Sequence, residues 1–359
     1  MLKVAIVGCG KIADAHASQI KRIAEAEIVA AHDSEELMAR QFCDRFSVKN
    51  AFCDLDELLE KAQPDVVHIT TPPHSHFPIA EKCIEKGCHV YVEKPFTLNA
   101  GEAKELIELA EQKKRKITVG HDAQFTHVAR GLRSQVRNGY LGGKPVHMES
   151  TYCYDLGDAV YAGAFVANQG HWLRSLPGKL LQNVISHGIA RVAEYIESDS
   201  PEIVAKGFVS PMLSGLGERE IVDELRVIIN DGNRFTAYFT FSSQMRPSIN
   251  QVRIYGRKNG LFLDESQQIL VRLRGDKFKS YGERFLPSIL FSAQYLKNVF
   301  GNLRLFLRND FHFESGKKFL IEAFYDSIAH EKPVPIPYHE ILLTTQIMDE
   351  VFRQLSAKN

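Results

Sequence analysis

A lysine standing directly before a proline, in Cys88-His89-Val90-Tyr91-Val92-Glu93-Lys94-Pro95, is the first residue here that could do chemistry. The apolar run ahead of it reads as a strand, and proline biases the preceding residue to an extended backbone, so the Lys94 ammonium leaves a strand tip in a fixed direction. A solvated lysine at a strand end satisfies the same spacing. The second candidate is Leu180-Leu181-Gln182-Asn183-Val184-Ile185-Ser186-His187-Gly188, where a helix would put Asn183 and His187 on one face. The third is Thr70-Thr71-Pro72-Pro73-His74-Ser75-His76, whose two prolines stiffen a loop suited to lining a cofactor. There His76 either opens the next helix beside the reactive ring or simply caps it. His74 and His76 have a metal-like spacing, but no third ligand is evident, so no metal is assigned.

These residues need a scaffold, and Val4-Ala5-Ile6-Val7-Gly8-Cys9-Gly10-Lys11-Ile12-Ala13 supplies its signature: a buried strand, a tight turn and a helix start. Gly8 permits the turn, Gly10 bares the backbone to a pyrophosphate, and Ala13 lets helix and strand pack closely. A second strand, Glu27 to Ala31, ends near Asp33, where a ribose-binding carboxylate belongs. Strand-like and helical runs alternate as far as Gly120, which is βαβ repetition and implies a doubly wound parallel sheet, a Rossmann domain over residues 1–122. Ligands of such sheets sit at the strands' carboxyl ends. That rule selects Gly8, Gly10, Lys11, Ile12, Asp33, Thr71, Pro72, His76, Glu93 and Lys94 for the cofactor and brings in His121.

After Gly120 the pattern changes. A helix near Thr126 to Arg137 is followed by alternating runs, Val146 to Tyr154, Leu225 to Asn230, Arg234 to Phe241, Gln251 to Tyr255 and Gly260 to Asp264, with turn signals at Asn230-Asp231-Gly232-Asn233 and Lys258-Asn259-Gly260. Residues 123–359 therefore read as an α+β domain with an open, mainly antiparallel sheet, suited to bind substrate. Its segment Asp155 to Gly178, with His171 and Trp172, is too long and polar for a mere connector. Lys277 to Phe313 is rich in large apolar residues with interspersed Lys297, Arg304 and Arg308; packing over the cleft or against a neighbouring subunit is preferred to contact with a membrane. Two helices, Glu322 to Ile328 and Glu340 to Leu355, close the chain around a proline-rich spacer.

Composition narrows the class. The 359 residues balance 44 Lys and Arg against 44 Asp and Glu, which gives no electrostatic case for nucleic acid and leaves a small molecule as partner. No secretory leader and no run of about 18 apolar residues is seen, so a cytoplasmic location without a transmembrane helix is expected. The six cysteines show no paired spacing, and no disulfide is expected.

Gly8-Cys9-Gly10-Lys11-Ile12-Ala13, Asp33, the Thr-Pro-Pro-His-Ser-His loop and above all Glu93-Lys94-Pro95 together resemble the Gfo/Idh/MocA family of nicotinamide-dependent oxidoreductases. The resemblance implies hydride transfer between NAD and a secondary hydroxyl of a sugar, sugar derivative or cyclic polyol, with Lys94 beside the nicotinamide and the reacting oxygen. It implies that His187 is the acid or base, and that His121, Gln124, His171, Trp172 and Asn183 join Lys94 and His187 around the substrate. It also implies a homodimer or homotetramer built through the second sheet. Two departures stand out. Asn183 occupies a position where family members commonly carry aspartate, and an amide cannot take up a proton. His121-Asp122-Ala123-Gln124 replaces a common aromatic-Asn-Arg run, so the pocket differs from that of the common sugar dehydrogenases.

A base must sit within about 3 Å of the hydroxyl whose carbon loses hydride. Free histidine, near pKa 6.5, suits this at neutral pH, whereas free lysine, near 10.4, needs burial or a neighbouring positive charge to lower it. His187 is therefore assigned the proton and Lys94 the stabilisation of developing alkoxide charge. Asp33 favours NAD over NADP, because a carboxylate repels a 2′-phosphate. The alternatives are a glycosidase that uses NAD for transient oxidation and a nucleotide-binding sensor without catalysis.

Overall fold

The computed structural model describes residues 1–153, 155, 166, 168, 170–232, 234–312 and 314–357. Tyr154, Asn233, Phe313 and most of the polar stretch between 156 and 169 lie outside the described residues. The chain divides into two compact units, Met1–Asp122 with Gly316–Gln346, and Ala123–Ser315 with Ile347–Asn359.

In the first unit strands β1 (Leu2–Val7), β2 (Ala26–His32), β3 (Asn50–Phe52), β4 (Val66–Ile69), β5 (His89–Val92) and β6 (Ile117–Val119) form one sheet in the order β3-β2-β1-β4-β5-β6, and every pair is parallel. Helices α1 (Lys11–Ile20), α2 (Glu36–Phe46), α3 (Leu55–Ala62), α4 (His76–Glu85) and α5 (Ala100–Gln112) connect them. The strand order reverses between β1 and β4, which is the crevice where such sheets bind ligands. Val4 to Val7 are fully buried, as expected of a strand covered on both faces. The short exposed strand β3 and helix α3 add to the runs legible in the sequence.

The second unit begins with α6 (His127–Arg137), followed by β7 (His147–Cys153), α7 (Lys179–Val184), α8 (Ser186–Ala193), β8 (Glu202–Phe208), α9 (Pro211–Gly215), β9 (Glu224–Asp231), β10 (Phe235–Ser242), β11 (Asn250–Tyr255), β12 (Gly260–Asp264), β13 (Ile269–Leu273) and α10 (Gly282–Leu307). Its sheet runs β13-β12-β11-β7-β10-β9-β8 and is antiparallel except for the parallel pair β7 and β10. Along β10 the buried Phe235, Ala237, Phe239 and Phe241 alternate with Thr236, Tyr238 and Thr240, as the period of a one-sided sheet requires. α8 lies on the buried face, and glycine at 188 permits the close approach: a Cβ there would come within 2.2 Å of the Phe239 ring.

Residues Gly316–Gln346 group with the parallel sheet, a departure from the single 123–359 domain expected from sequence. The reason is packing by α11 (Ser315–Ala329) and the turn after it: Tyr325 bonds His68, Lys317 bonds Glu93, and Lys116 donates to the carbonyls of Ser327 and Lys332. The last helix, α12 (Tyr338–Ser356), gives its final turns to the second unit.

Both edges of the second sheet are closed by side-chain amides. Gln354 accepts from Ala205 N at 2.8 Å and donates to Ile203 O at 2.6 Å on β8. On β13, Gln294 and Asn298 of α10 each take up both backbone groups of one strand residue, Arg272 and Leu270, and Asn302 donates to Gln268 O. Edge strands left open invite pairing with other chains, and these amides occupy the groups that would do it. α10 thus turns a polar stripe toward the sheet and its apolar side outward.

Candidate active site

In the first unit the glycine turn is built by necessity. Gly8 sits at φ +93°, and a Cβ there would lie 2.6 Å from Thr71 Cγ2, so only glycine fits. Its amide donates to His32 O at 2.8 Å, and Thr70 Oγ1 donates to Gly8 O at 2.6 Å, locking β1, β2 and β4 together at the crevice. Gly10 is the N-cap of α1, carries no side-chain cap, and a Cβ there would meet nothing within 4 Å. The start of α1 is therefore open around Gly10, with Lys11 and Ile12 exposed beside it and Ala13 N the first amide taken up, by Gly10 O at 3.0 Å. Those are the conditions for a phosphate at a helix N-terminus. Asp33 Oδ2 accepts from Cys9 N at 2.7 Å and Oδ1 from Glu35 N at 3.0 Å, which fixes the carboxylate at the end of β2. Burial and the Asp33 charge push the Cys9 thiol up to about 12, so it stays neutral beside any bound anion.

Thr71 and Pro72 follow β4, half-buried and exposed respectively. His76 is fully buried, with Nδ1 2.8 Å from Pro95 O and Nε2 2.9 Å from Thr71 O. It straps that loop to the lysine tip through both ring nitrogens. The Lys94–Pro95 bond is cis. Among the described residues no three His, Cys, Asp or Glu converge on a metal-binding arrangement.

Glu93 is buried rather than turned to a ligand, and it is the hub of a network the sequence did not reveal. Its Oε1 lies 2.7 Å from His16 Nε2 and 2.8 Å from Lys317 Nζ, while Oε2 accepts from Lys94 N at 3.1 Å. His16 Nδ1 lies 2.8 Å from His68 Nδ1, and His68 Nε2 lies 2.8 Å from the Tyr325 hydroxyl. The carboxylate can only accept, so His16 Nε2 carries a proton and, with both imidazoles neutral, Nδ1 does not. His68 then donates from Nδ1 and accepts from Tyr325, giving three bonds that all point toward Glu93. Burial, reinforced by Lys317, lowers His16, and burial holds His68 well below the usual imidazole range, which keeps both neutral. Burial pushes Glu93 up, but Lys317 and His16 outweigh it and hold the carboxyl well down.

Lys94 is half-buried at the end of β5. Burial lowers its ammonium and Lys317 adds to this, against the opposing pull of Glu93 and Asp122. Lys317 itself is held well above its usual value, because Glu93 and Asp122, the latter 3.3 Å away, outweigh burial. His121 is buried at the first unit's last strand end. Lys317 comes from α11, 224 residues from Glu93 in sequence, and no local pattern marks it.

In the second unit Gln124 is 2% exposed and donates to Ala190 O at 3.2 Å and Glu194 Oε2 at 3.3 Å. It ties the turn before α6 to α8 through its amide nitrogen. His171 Nδ1 accepts from Leu173 N at 3.3 Å, capping a short turn, and its ring stacks on the exposed Trp172 at 5.6 Å. The single helix expected through Asn183 and His187 is interrupted at Ile185, where α7 ends and α8 begins. Ile185 keeps right-handed helical angles, so the turn persists, and both side chains are half-buried. The His187 ring lies 6.1 Å from that of Tyr152 on β7.

Residues 2–121 match the family profile described as "Oxidoreductase family, NAD-binding Rossmann fold". D-glucoside 3-dehydrogenase of Escherichia coli is 32% identical over 142 residues, 39% of this chain and 40% of the relative, so that alignment spans less than half of either. Myo-inositol 2-dehydrogenase of Thermotoga maritima is 24% identical over 320 residues, 86% of this chain and 88% of the relative. An NAD binding oxidoreductase from Klebsiella pneumoniae shares the fold across the whole chain, with a TM-score of 0.79 at 20% identity, covering 100% of this chain and 97% of that one.

Proposed function

Through residues 2–121 this chain belongs to the Gfo/Idh/MocA family of NAD-binding oxidoreductases, and on that premise we propose that it moves a hydride between NAD and a secondary hydroxyl of a carbohydrate-like substrate. The observation that carries the proposal is the uncapped α1 N-terminus at Gly10 in the same sheet that presents Lys94 at the tip of β5. Gly8 and Gly10 would admit the pyrophosphate, Asp33 would take the ribose hydroxyls, and Thr71 and Pro72 would line the nicotinamide half. When bound, NAD supplies the hydride acceptor or donor. Lys94 hydrogen-bonds the substrate oxygen and stabilises its developing negative charge, and its lowered pKa makes the proton easier to share. His187 takes the hydroxyl proton in oxidation and returns it in reduction. The carbohydrate-like substrate class rests on the two relatives named above.

The outer face of the second sheet carries a cross-strand row of exposed Val204, Ile228 and Tyr238, paired in register, and exposed Phe208 lies four residues farther along β8. Copies of the chain would pair through this row.

The test has three arms. NADH should quench intrinsic fluorescence at lower concentration than NADPH; the reverse order would overturn the role given to Asp33. With a confirmed sugar or polyol substrate, Lys94→Ala and His187→Ala should each lower kcat by about a hundredfold or more. Unchanged turnover in both would remove the mechanism. Product analysis should find the oxidised sugar with one reduced cofactor per turnover; release of a free sugar with no net cofactor change would mark the transient-oxidation alternative.

A further inference from the structure

Helix α10 has its polarity reversed. Gln294, Asn298 and Asn302 face β13, whereas the opposite side presents Phe285, Ile289, Leu296, Phe300, Leu303 and Leu307 to solvent, with Phe300 67% and Leu307 74% exposed. None of its 26 residues is buried. A contiguous apolar face of this kind marks an interaction surface.

Its charges select the partner. From Arg284 to Asn309 the chain carries four cations, Arg284, Lys297, Arg304 and Arg308, and no acid. At about 100° per residue, Lys297, Arg304 and Arg308 fall on one flank of the apolar face. Behind the same flank a cleft of about 1190 Å³ between α6, β13 and α10 is lined by Arg272, Arg274, Lys297, Arg304 and Arg308 against Asp276 and Glu283, so its charge is positive on balance. A second copy of α10 docked face to face would set the Lys297, Arg304 and Arg308 flanks against one another, with Glu283 of the first turn the one acid the helix brings. An anionic lipid surface answers both features, with acyl chains for the apolar side and phosphates for the flank.

We propose that α10 is an interfacial anchor that lies flat in an anionic bilayer surface, its Phe285 to Leu307 face in the headgroup and acyl boundary. The helix does not span, since its inner amides are bonded to β13 and no helix among the described residues is long and apolar enough to cross a membrane. This surface contact replaces the preference for subunit packing that composition alone gave to residues 277–313, and it is independent of the proposed chemistry.

The experiment is co-sedimentation of the full chain with vesicles of equal parts phosphatidylglycerol and phosphatidylcholine, against phosphatidylcholine alone. The chain should pellet with the anionic vesicles and be released by salt. Lys297→Gln with Arg304→Gln should weaken binding by about tenfold or more, and Leu296→Glu with Phe300→Glu should abolish it, both with unchanged far-ultraviolet circular dichroism. Failure to pellet with anionic vesicles, or equal binding by the variants, overturns the proposal. So does a solution dimer, seen by sedimentation equilibrium, that Leu296→Glu with Phe300→Glu converts to monomer, since the face would then join two copies of the chain.

Discussion

Around Glu93 charge is buried, and along α10 hydrocarbon is exposed, so the two regions depart from ordinary sorting in opposite directions. The difference lies in what supplies each with partners. Glu93 sits among donors of its own unit, from α1, α11 and its own strand, and the network closes without help. The outer side of α10 is completed by nothing among the described residues. A buried polar cluster that satisfies itself fixes the position of Lys94; an apolar helix face that does not is addressed to another surface.

The largest expected effect would come from breaking the first region. Lys317→Met leaves the Glu93 carboxylate buried beside His16 without its cation and should remove about 3–5 kcal/mol of stability, read from urea unfolding. Combining it with Glu93→Gln should recover part of that loss. If the single variant changed stability by less than about 1 kcal/mol, the interior would not be the closed network described.

Acid should sharpen the same contrast. His16 and His68 stay neutral in the fold, whereas unfolded imidazoles take up protons below about pH 6.5. Their contribution is therefore full above that pH and declines beneath it, by up to about 1.4 kcal/mol per pH unit for each ring. His89, pushed down to about 4 chiefly by burial, adds a term of the same sign. Thermal midpoints followed from about pH 7.5 to about 5 should fall, and His89→Asn should flatten the slope; an unchanged slope would remove His89 from the account.

Smaller again is Asn298→Ala, which takes both hydrogen bonds from Leu270 and should cost about 1–2 kcal/mol in denaturant unfolding. Smallest of all, Phe300→Ser on the open side of α10 should move stability by less than about 0.5 kcal/mol. A cost near that of a core phenylalanine, about 3–5 kcal/mol, would mean that the ring is covered and the comparison fails.

The parallel sheet was legible because its signals are local. An apolar run ending in small residues at Gly8 and Gly10, a carboxylate at Asp33 and a lysine before Pro95 each show within ten residues. Lys317 left no such mark, because it reaches Glu93 only through the folding back of α11. His76 was read as a site residue from its place after a strand and Gln124 from the family resemblance; packing gives both His76 ring nitrogens to Pro95 and Thr71, and the Gln124 amide nitrogen to Ala190 and Glu194, contacts no local pattern announces. Composition showed that residues 277–313 were amphipathic but could not say which side faces inward; three amides decided it. The parallel pairing of β7 with β10 is equally silent, since alternation gives a strand's faces and not its neighbours.

Those three amides also have a dimensional consequence. Successive rungs on the helix are four residues apart and climb about 6.0 Å, whereas the matching strand residues, two apart, advance about 6.8 Å. Like the scales of a vernier, the two coincide at one mark and drift by about 0.8 Å at each mark on either side. The central rung, Asn298, holds both groups of Leu270; the longer Gln294 reaches both groups of Arg272; Asn302 reaches only Gln268 O, because Gln268 lies just before the strand at φ +52° and its amide donates to Glu265 O at 3.2 Å. β13 runs only from Ile269 to Leu273, so a fourth rung would find no strand residue, and the helix overhangs the strand like a beam held at its middle.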